Sequence, residues 1–195
     1  MAYVFKVMGS PVGELKLVAR GTKLAAILWE HDRPNRVRLG AMTEDRDNPT
    51  LANVESQLVE YFAGKRTHFE LDLEFEGTDF QKKVWQALLT IPFGETRSYA
   101  QIASQIGNEK AVRAVGAANG KNPISIVAPC HRVIGTSGAL TGFAGGLKAK
   151  ATLLAIETGN ARVSDAVAGA TDLAKKKVYQ AGKLSAQASL FGDEA

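Results

Sequence analysis

A chain of 195 residues, 45% hydrophobic and 23% charged, has room for one medium domain or two small ones, and its apolar content excludes wholesale disorder. A single cysteine, Cys130, excludes an intrachain disulfide and a cysteine-rich zinc site, and no apolar run approaches the ~20 residues of a membrane helix. The net charge of +4 is uneven: residues 1–77 carry −2, while residues 78–157, with 9 basic and 4 acidic side chains, carry +5. A basic segment of this kind fits an anionic partner such as nucleic acid, and equally a plain solvated face. The N-terminus alternates and lacks the basic-then-apolar order of a signal peptide. The protein is expected to be soluble and cytoplasmic, a monomer with no membrane partner.

Residues 2–29 read as three short strands. Tyr3, Phe5 and Val7 alternate with Val4 and Lys6, Gly9 to Gly13 turns the chain, Leu15 and Leu17 alternate again, and Leu24 to Trp29 is the third. Residues 30–47 are charged and read as loop. Asn48-Pro49 opens a helix with the apolar stripe Leu51, Val54, Leu58, Tyr61 and Phe62, ended by Gly64. Phe69, Leu71, Leu73 and Phe75 alternate and predict one more extended segment.

Composition changes at Gly77. Thr78 and Gln81 form a capping-box pattern ahead of Phe80, Val84, Ala87 and Leu88, and Pro92-Phe93-Gly94 breaks that helix. Ser98 and Gln101 repeat the box before Ile102 and Ile106, which stop at Gly107. Asn108 is read as the cap of the next helix, with Val112 and Val115 inward and Lys110 and Arg113 outward. Two short helices around a glycine turn fit a helix-turn-helix or an ordinary helical hairpin. Residues 120–146 carry little helical signal, and Leu147 to Glu157 is helical again. The expected fold class is α+β: a small N-terminal antiparallel-sheet domain (1–76), a mostly helical, winged-helix-like domain with a helix-turn-helix (77–159), and a flexible or partly helical tail (160–195).

The segment Pro129-Cys130-His131-Arg132-Val133 joins the only cysteine to one of three histidines. Packing alone accommodates that pair, since a buried cysteine behaves as a small hydrophobe. A thiolate nucleophile is the other reading, because a neighbouring imidazole or guanidinium lowers a thiol pKa and Pro129 stiffens the approach. Neighbouring side chains in an extended segment face opposite sides, so a bridging water is expected between Cys130 and His131. Glu157, the only acidic residue between Glu109 and Asp165, is the candidate to orient the imidazole.

This run resembles the active-site signature of the O6-alkylguanine-DNA alkyltransferases (methylated-DNA–protein-cysteine methyltransferases). Thr78-Asp79-Phe80-Gln81 with Val84-Trp85, Pro92-Phe93-Gly94-Glu95, Ser98-Tyr99, Ala111 to Gly116, Asn122-Pro123, and Gly138 to Lys150 are similar to the family's pattern in order and spacing. The likeness covers about residues 78–158. It implies a DNA repair protein that flips an alkylated guanine out of the duplex and moves the alkyl group from O6 to its own cysteine, once and irreversibly, with no cofactor and no metal. It implies Cys130 as nucleophile, His131 as base through a water, Glu157 as the group holding His131, Tyr99 as proton donor toward guanine N3, and Asn122 as the brace beneath the cysteine. Arg113 is implied as the finger that replaces the flipped base from a helix in the minor groove. Asn108 and Thr136, at a helix start and a turn, suit phosphate contact. Val133, Phe143 and Ala144 would wall the pocket, with Phe143 standing where many relatives have tyrosine and Ala144 where some have serine. Some relatives bind zinc through N-terminal cysteines, and this chain, with Cys130 alone, cannot. Cys130 itself argues against the alkyltransferase-like proteins that lack the cysteine.

Two rivals remain at this point: a sequence-reading DNA-binding regulator, for which Ala111, Ala114, Ala117 and Ala118 supply few base-reading groups, and a cysteine hydrolase or acyltransferase, which would turn over. In the tail, Gln187-Ala188-Ser189-Leu190-Phe191 resembles the short peptide by which bacterial repair proteins bind the polymerase sliding clamp. Gln187, Leu190 and Phe191 would be its anchors.

Overall fold

In the computed structural model, which describes residues 2–159, the first half is a sheet backed by one helix. Strands β1 (Tyr3–Ser10), β2 (Gly13–Arg20) and β3 (Lys23–Trp29) form the expected antiparallel meander. A fourth strand, β4 (Met42–Glu44), lies inside the segment read as loop. It pairs parallel with Tyr3, Val4 and Phe5, so the sheet order is β3-β2-β1-β4. Three residues are too few for alternation to appear in the sequence; what forms the strand is the open hydrogen-bonding edge of β1.

Helix α1 (Pro49–Phe62) begins where the cap residues place it, with Asn48 Oδ1 accepting the Leu51 N–H at 3.2 Å. Its stripe of Leu51, Val54, Leu58 and Tyr61 is fully buried against Leu15, Leu17, Leu24 and Ile27 of the sheet. The alternating segment 69–75 does not become a strand. It makes one bridge, Leu73 with Leu24, and the same outer edge of β3 is used at Ile27 by Ile124. The edge is divided between two visitors, so neither lengthens, although Phe69, Leu71, Leu73 and Phe75 still pack on the core.

Helices α2 (Asp79–Leu88) and α3 (Tyr99–Gln105) both carry complete capping boxes, Thr78 with Gln81 and Ser98 with Gln101. Trp85 and Val84 are buried in α2, while Phe80 is only partly so. Asn108 does not cap the next helix. A 3-10 turn, Glu109–Ala111, intervenes, the Asn108 side chain makes no capping bond, and helix α4 (Val112–Gly120) starts three residues later than read. α3 and α4 pack together as the helix-turn-helix, joined through Gly107 at φ 75°. Strand β5 (Arg97–Ser98) pairs with β6 (Val133–Ile134), and α5 (Gly146–Glu157) closes the described chain. Ala149, Leu153 and Ile156 of α5 belong to the same buried cluster as the N-terminal sheet and α1, so one core runs through both halves. No described helix is long and apolar enough to cross a membrane. The expectations for residues 160–195, Gln187, Leu190 and Phe191 among them, lie outside the described residues.

Candidate active site

The cysteine sits at the end of a tightly wound segment. Ile126 is buried at φ 75°, a left-handed conformation that costs a β-branched residue on the order of 1–3 kcal/mol. Asn122, fully buried, offsets that strain from both ends of its amide: Nδ2 donates to the Ala128 carbonyl at 2.7 Å, and Oδ1 accepts the Ile124 N–H at 3.1 Å. Pro129 follows at φ −80°, ψ 66°, an inverse γ-turn closed by the Cys130 N–H on the Ala128 carbonyl at 2.8 Å. Cys130–Arg132 is then a single 3-10 turn.

That turn corrects the extended geometry expected for Cys130 and His131. Successive side chains in a 3-10 turn fan out by about a third of a circle rather than opposing each other. The two are still separate: among the described residues no hydrogen bond joins the thiol and the imidazole. The His131 ring is fully buried, with Nε2 2.7 Å from Glu157 Oε1 and Nδ1 without a protein partner. Burial pulls the His131 pKa down against the pull of Glu157, so the ring is neutral. A carboxylate only accepts, so Nε2 carries the hydrogen and Nδ1 the lone pair. Burial likewise pushes the Cys130 thiol up, with Asn122, Arg36, Ser125 and Lys150 acting the other way. The resting pair is therefore thiol and neutral imidazole.

Glu157 is the hub of this site. Burial works to raise its pKa, but the donors around it win and hold it at about 2. Arg132 forks onto it, Nε to Oε2 at 2.7 Å and Nη2 to Oε1 at 2.9 Å, while Nη1 donates to the Ile91 carbonyl and the guanidinium lies over Phe93. The Tyr61 hydroxyl donates to Oε1 at 2.7 Å and the Gly94 N–H to Oε2 at 3.2 Å. Lys150, also fully buried, donates from Nζ to the Val133 carbonyl at 2.6 Å and the Thr141 carbonyl at 3.3 Å, which ties the loop after the cysteine to α5.

Cys130 and Val133 share a buried cluster on which Tyr99 and Phe143 pack. The Tyr99 hydroxyl pairs with Thr141 Oγ1 at 2.9 Å, and its ring lies against Gly116 of α4. Phe143 meets Trp29 of β3 edge-on, with ring centroids 5.3 Å apart, and Ala144 is half-buried beside it. Gly145 presses on the same indole so closely that a Cβ would lie 2.6 Å from it. Asn119 of α4 donates to the Cys130 carbonyl at 3.4 Å. Arg113, on the outer face of α4, Asn108 and Thr136 are exposed and stand outside this buried group. Thus Cys130, His131, Glu157 and Asn122 come together as read, with Val133, Phe143 and Tyr99 beside them. Arg132, expected to act on the neighbouring thiol, is spent on Glu157 instead, and Tyr61, Lys150 and the N-terminal supports Trp29 and Arg36 carried no site role in the sequence. Arg132 had a signal, its place in the Cys-His-Arg run. Tyr61 read only as part of an apolar stripe.

The family model for the DNA-binding domain of 6-O-methylguanine DNA methyltransferase matches residues 79–159, and that for its ribonuclease-like domain matches residues 3–75. This chain belongs to that family. It is 51% identical over 150 residues to a methylated-DNA–protein-cysteine methyltransferase of Mycobacterium leprae, spanning 77% of this chain and 89% of the relative. The constitutive enzyme of that name from Bacillus subtilis is 49% identical over 150 residues, 76% and 91% of the two chains. Among solved structures, the Mycobacterium tuberculosis OGT in complex with DNA superposes at a TM-score of 0.74 with 46% identity, covering 83% of this chain and 95% of that one. The Pyrococcus kodakaraensis O6-methylguanine-DNA methyltransferase, 24% identical with a TM-score of 0.58, shares the fold.

Proposed function

We propose that this protein repairs alkylated duplex DNA by moving the alkyl group from guanine O6 to Cys130 Sγ, once per molecule. The observation that carries the reading is the buried His131–Glu157 pair, which leaves a neutral imidazole with a free Nδ1 next in sequence to the buried Cys130. His131 Nδ1 takes the thiol proton through a bridging water, and the charge it gains is balanced by Glu157. Sγ attacks the alkyl carbon in line, the S–C bond forms and the C–O6 bond breaks. The electron pair stays on guanine, which Tyr99 neutralises by passing a proton to N3. The thioether is inert, so the thiol does not return and the protein is spent.

The target atom is unreachable in the stack, so the nucleotide is flipped into the space beside Val133, Phe143 and Ala144. Arg113 fills the gap it leaves, while Asn108 and Thr136 contact phosphates. Asn122 keeps the strained turn beneath the thiol in shape. We divide the chain at residues 76/77 and 159/160, with the C-terminal segment as a tether: Gln187, Leu190 and Phe191 engage a groove on the sliding clamp, a reading that rests on sequence alone. Leu190→Ala with Phe191→Ala should abolish clamp binding and leave alkyl transfer intact.

The deciding experiment is intact-mass analysis after mixing with duplex DNA containing O6-methylguanine. One methyl on Cys130, with equimolar loss from DNA and no further turnover, is expected. Repeated turnover, or methylation elsewhere, overturns the reading.

A further inference from the structure

Glu157 Oε1 accepts from three donors, His131 Nε2, Arg132 Nη2 and the Tyr61 hydroxyl, and only Tyr61 comes from the N-terminal half. Tyr61 lies on the last turn of α1, fully buried, 96 residues away from its partner. We infer that Tyr61 is a positioning residue of alkyl transfer: its hydroxyl sets how strongly Glu157 holds the His131 proton and so tunes the basicity of the imidazole. The inference rests on the reading of Cys130 as acceptor and His131 as base.

Three donors compete for a single oxygen. The Arg132 fork already fixes the carboxylate plane and supplies the compensating charge. A third, neutral donor at 2.7 Å adds no charge; it withdraws electron density from the lone pairs that the imidazole N–H uses. Burial and the neighbouring carboxylate hold the Tyr61 phenol well above its ordinary pKa, so it stays a donor. Without the hydroxyl, Oε1 becomes more basic, the imidazolium is better stabilised, and His131 protonates at higher pH. The other groups facing this pair are Arg132 on the same turn, Lys150 on α5 and the Gly94 N–H. Arg132 and Lys150 oppose protonation of the ring, and neither is altered by a change at position 61.

The experiment measures the rate of Cys130 alkylation by free O6-benzylguanine against pH in the full chain. Tyr61→Phe keeps the ring and removes the hydroxyl. The acid limb should move to higher pH by about half to one unit, the worth of one hydrogen bond. 3-Fluorotyrosine at position 61 keeps the shape and strengthens the donor, so it should move the limb the opposite way, and it serves if the phenylalanine variant does not fold. Superimposable profiles for the wild type and the variant overturn the inference and leave Tyr61 as packing alone. His131→Ala separates the two levels. An unchanged rate there sinks the reading of the base itself, whereas a large loss with unmoved profiles at position 61 sinks only the inference.

Discussion

The two halves of the molecule serve the site in different ways. The C-terminal half holds Cys130, His131 and Glu157, while the N-terminal half holds them in place. Arg36, itself paired with Asp32, donates to the Asn122 carbonyl; Ile27 bridges Ile124; Trp29 donates to Ser125 and backs Phe143 and Gly145; Tyr61 reaches Glu157. Each contact falls on the strained 122–128 turn, on Phe143 and Gly145, or on the carboxylate hub. On the proposed mechanism the N-terminal half supplies no reacting group yet fixes the residues around them, and a preorganised site needs its supporting shell held as firmly as its reacting atoms.

The division of labour is broken most directly at the proposed acceptor, Cys130. Cys130→Ser should reduce alkyl transfer below detection while lesion binding persists, measured with labelled methyl in DNA. Detectable transfer would move the reacting group elsewhere. Next in size is Arg132→Met, which strips the hub of its fork while leaving a buried carboxylate; a loss of about 3–5 kcal/mol in urea unfolding is expected.

The pH dependence of stability sharpens the same point. Glu157 titrates at about 2 in the folded protein, below the roughly 4.3 of a free glutamate. A depressed carboxylate stabilises the fold above its unfolded value and loses that contribution as pH falls through the window from about 4 to 2. Thermal melts across that window should show the loss, and Glu157→Gln should flatten it.

Trp29→Phe tests the supporting half. It removes the donor to Ser125 and part of the surface under Gly145, for about 1–2 kcal/mol in denaturant unfolding. If the N-terminal half positions the pocket, alkylation by O6-benzylguanine should slow even where the variant is fully folded; an unchanged rate would reduce that half to a scaffold. Smallest in stability is Arg113→Ala, within about 0.5 kcal/mol because the side chain is exposed. Repair of duplex DNA should nonetheless slow while reaction with the free base does not. Equal losses on both substrates would reassign Arg113 to the chemistry.

What could be read along the chain was whatever depends on neighbours within a few residues. Asn48 and the Thr78–Gln81 and Ser98–Gln101 boxes cap the helices they announced, since the donor and acceptor lie three residues apart. The Pro-Cys-His-Arg-Val run and the solitary acidity of Glu157 marked the site for the same reason: its chemistry is concentrated in one turn and one helix end. Asn108 shows the limit of such signals, because the residue read as a helix cap is followed by a 3-10 turn and its side chain makes no capping bond. Tertiary structure alone decided β4, which exists only because β1 offers an edge, and the split fate of residues 69–75, which depends on Ile124 claiming the rest of β3. It also decided that a tyrosine in an apolar stripe would spend its hydroxyl on Glu157, and that Arg132 and Lys150 would be buried rather than solvated. A cation or a phenol declares no partner in sequence; the cost of burying it unpaired selects the partner, and that cost arises only when distant segments close around it.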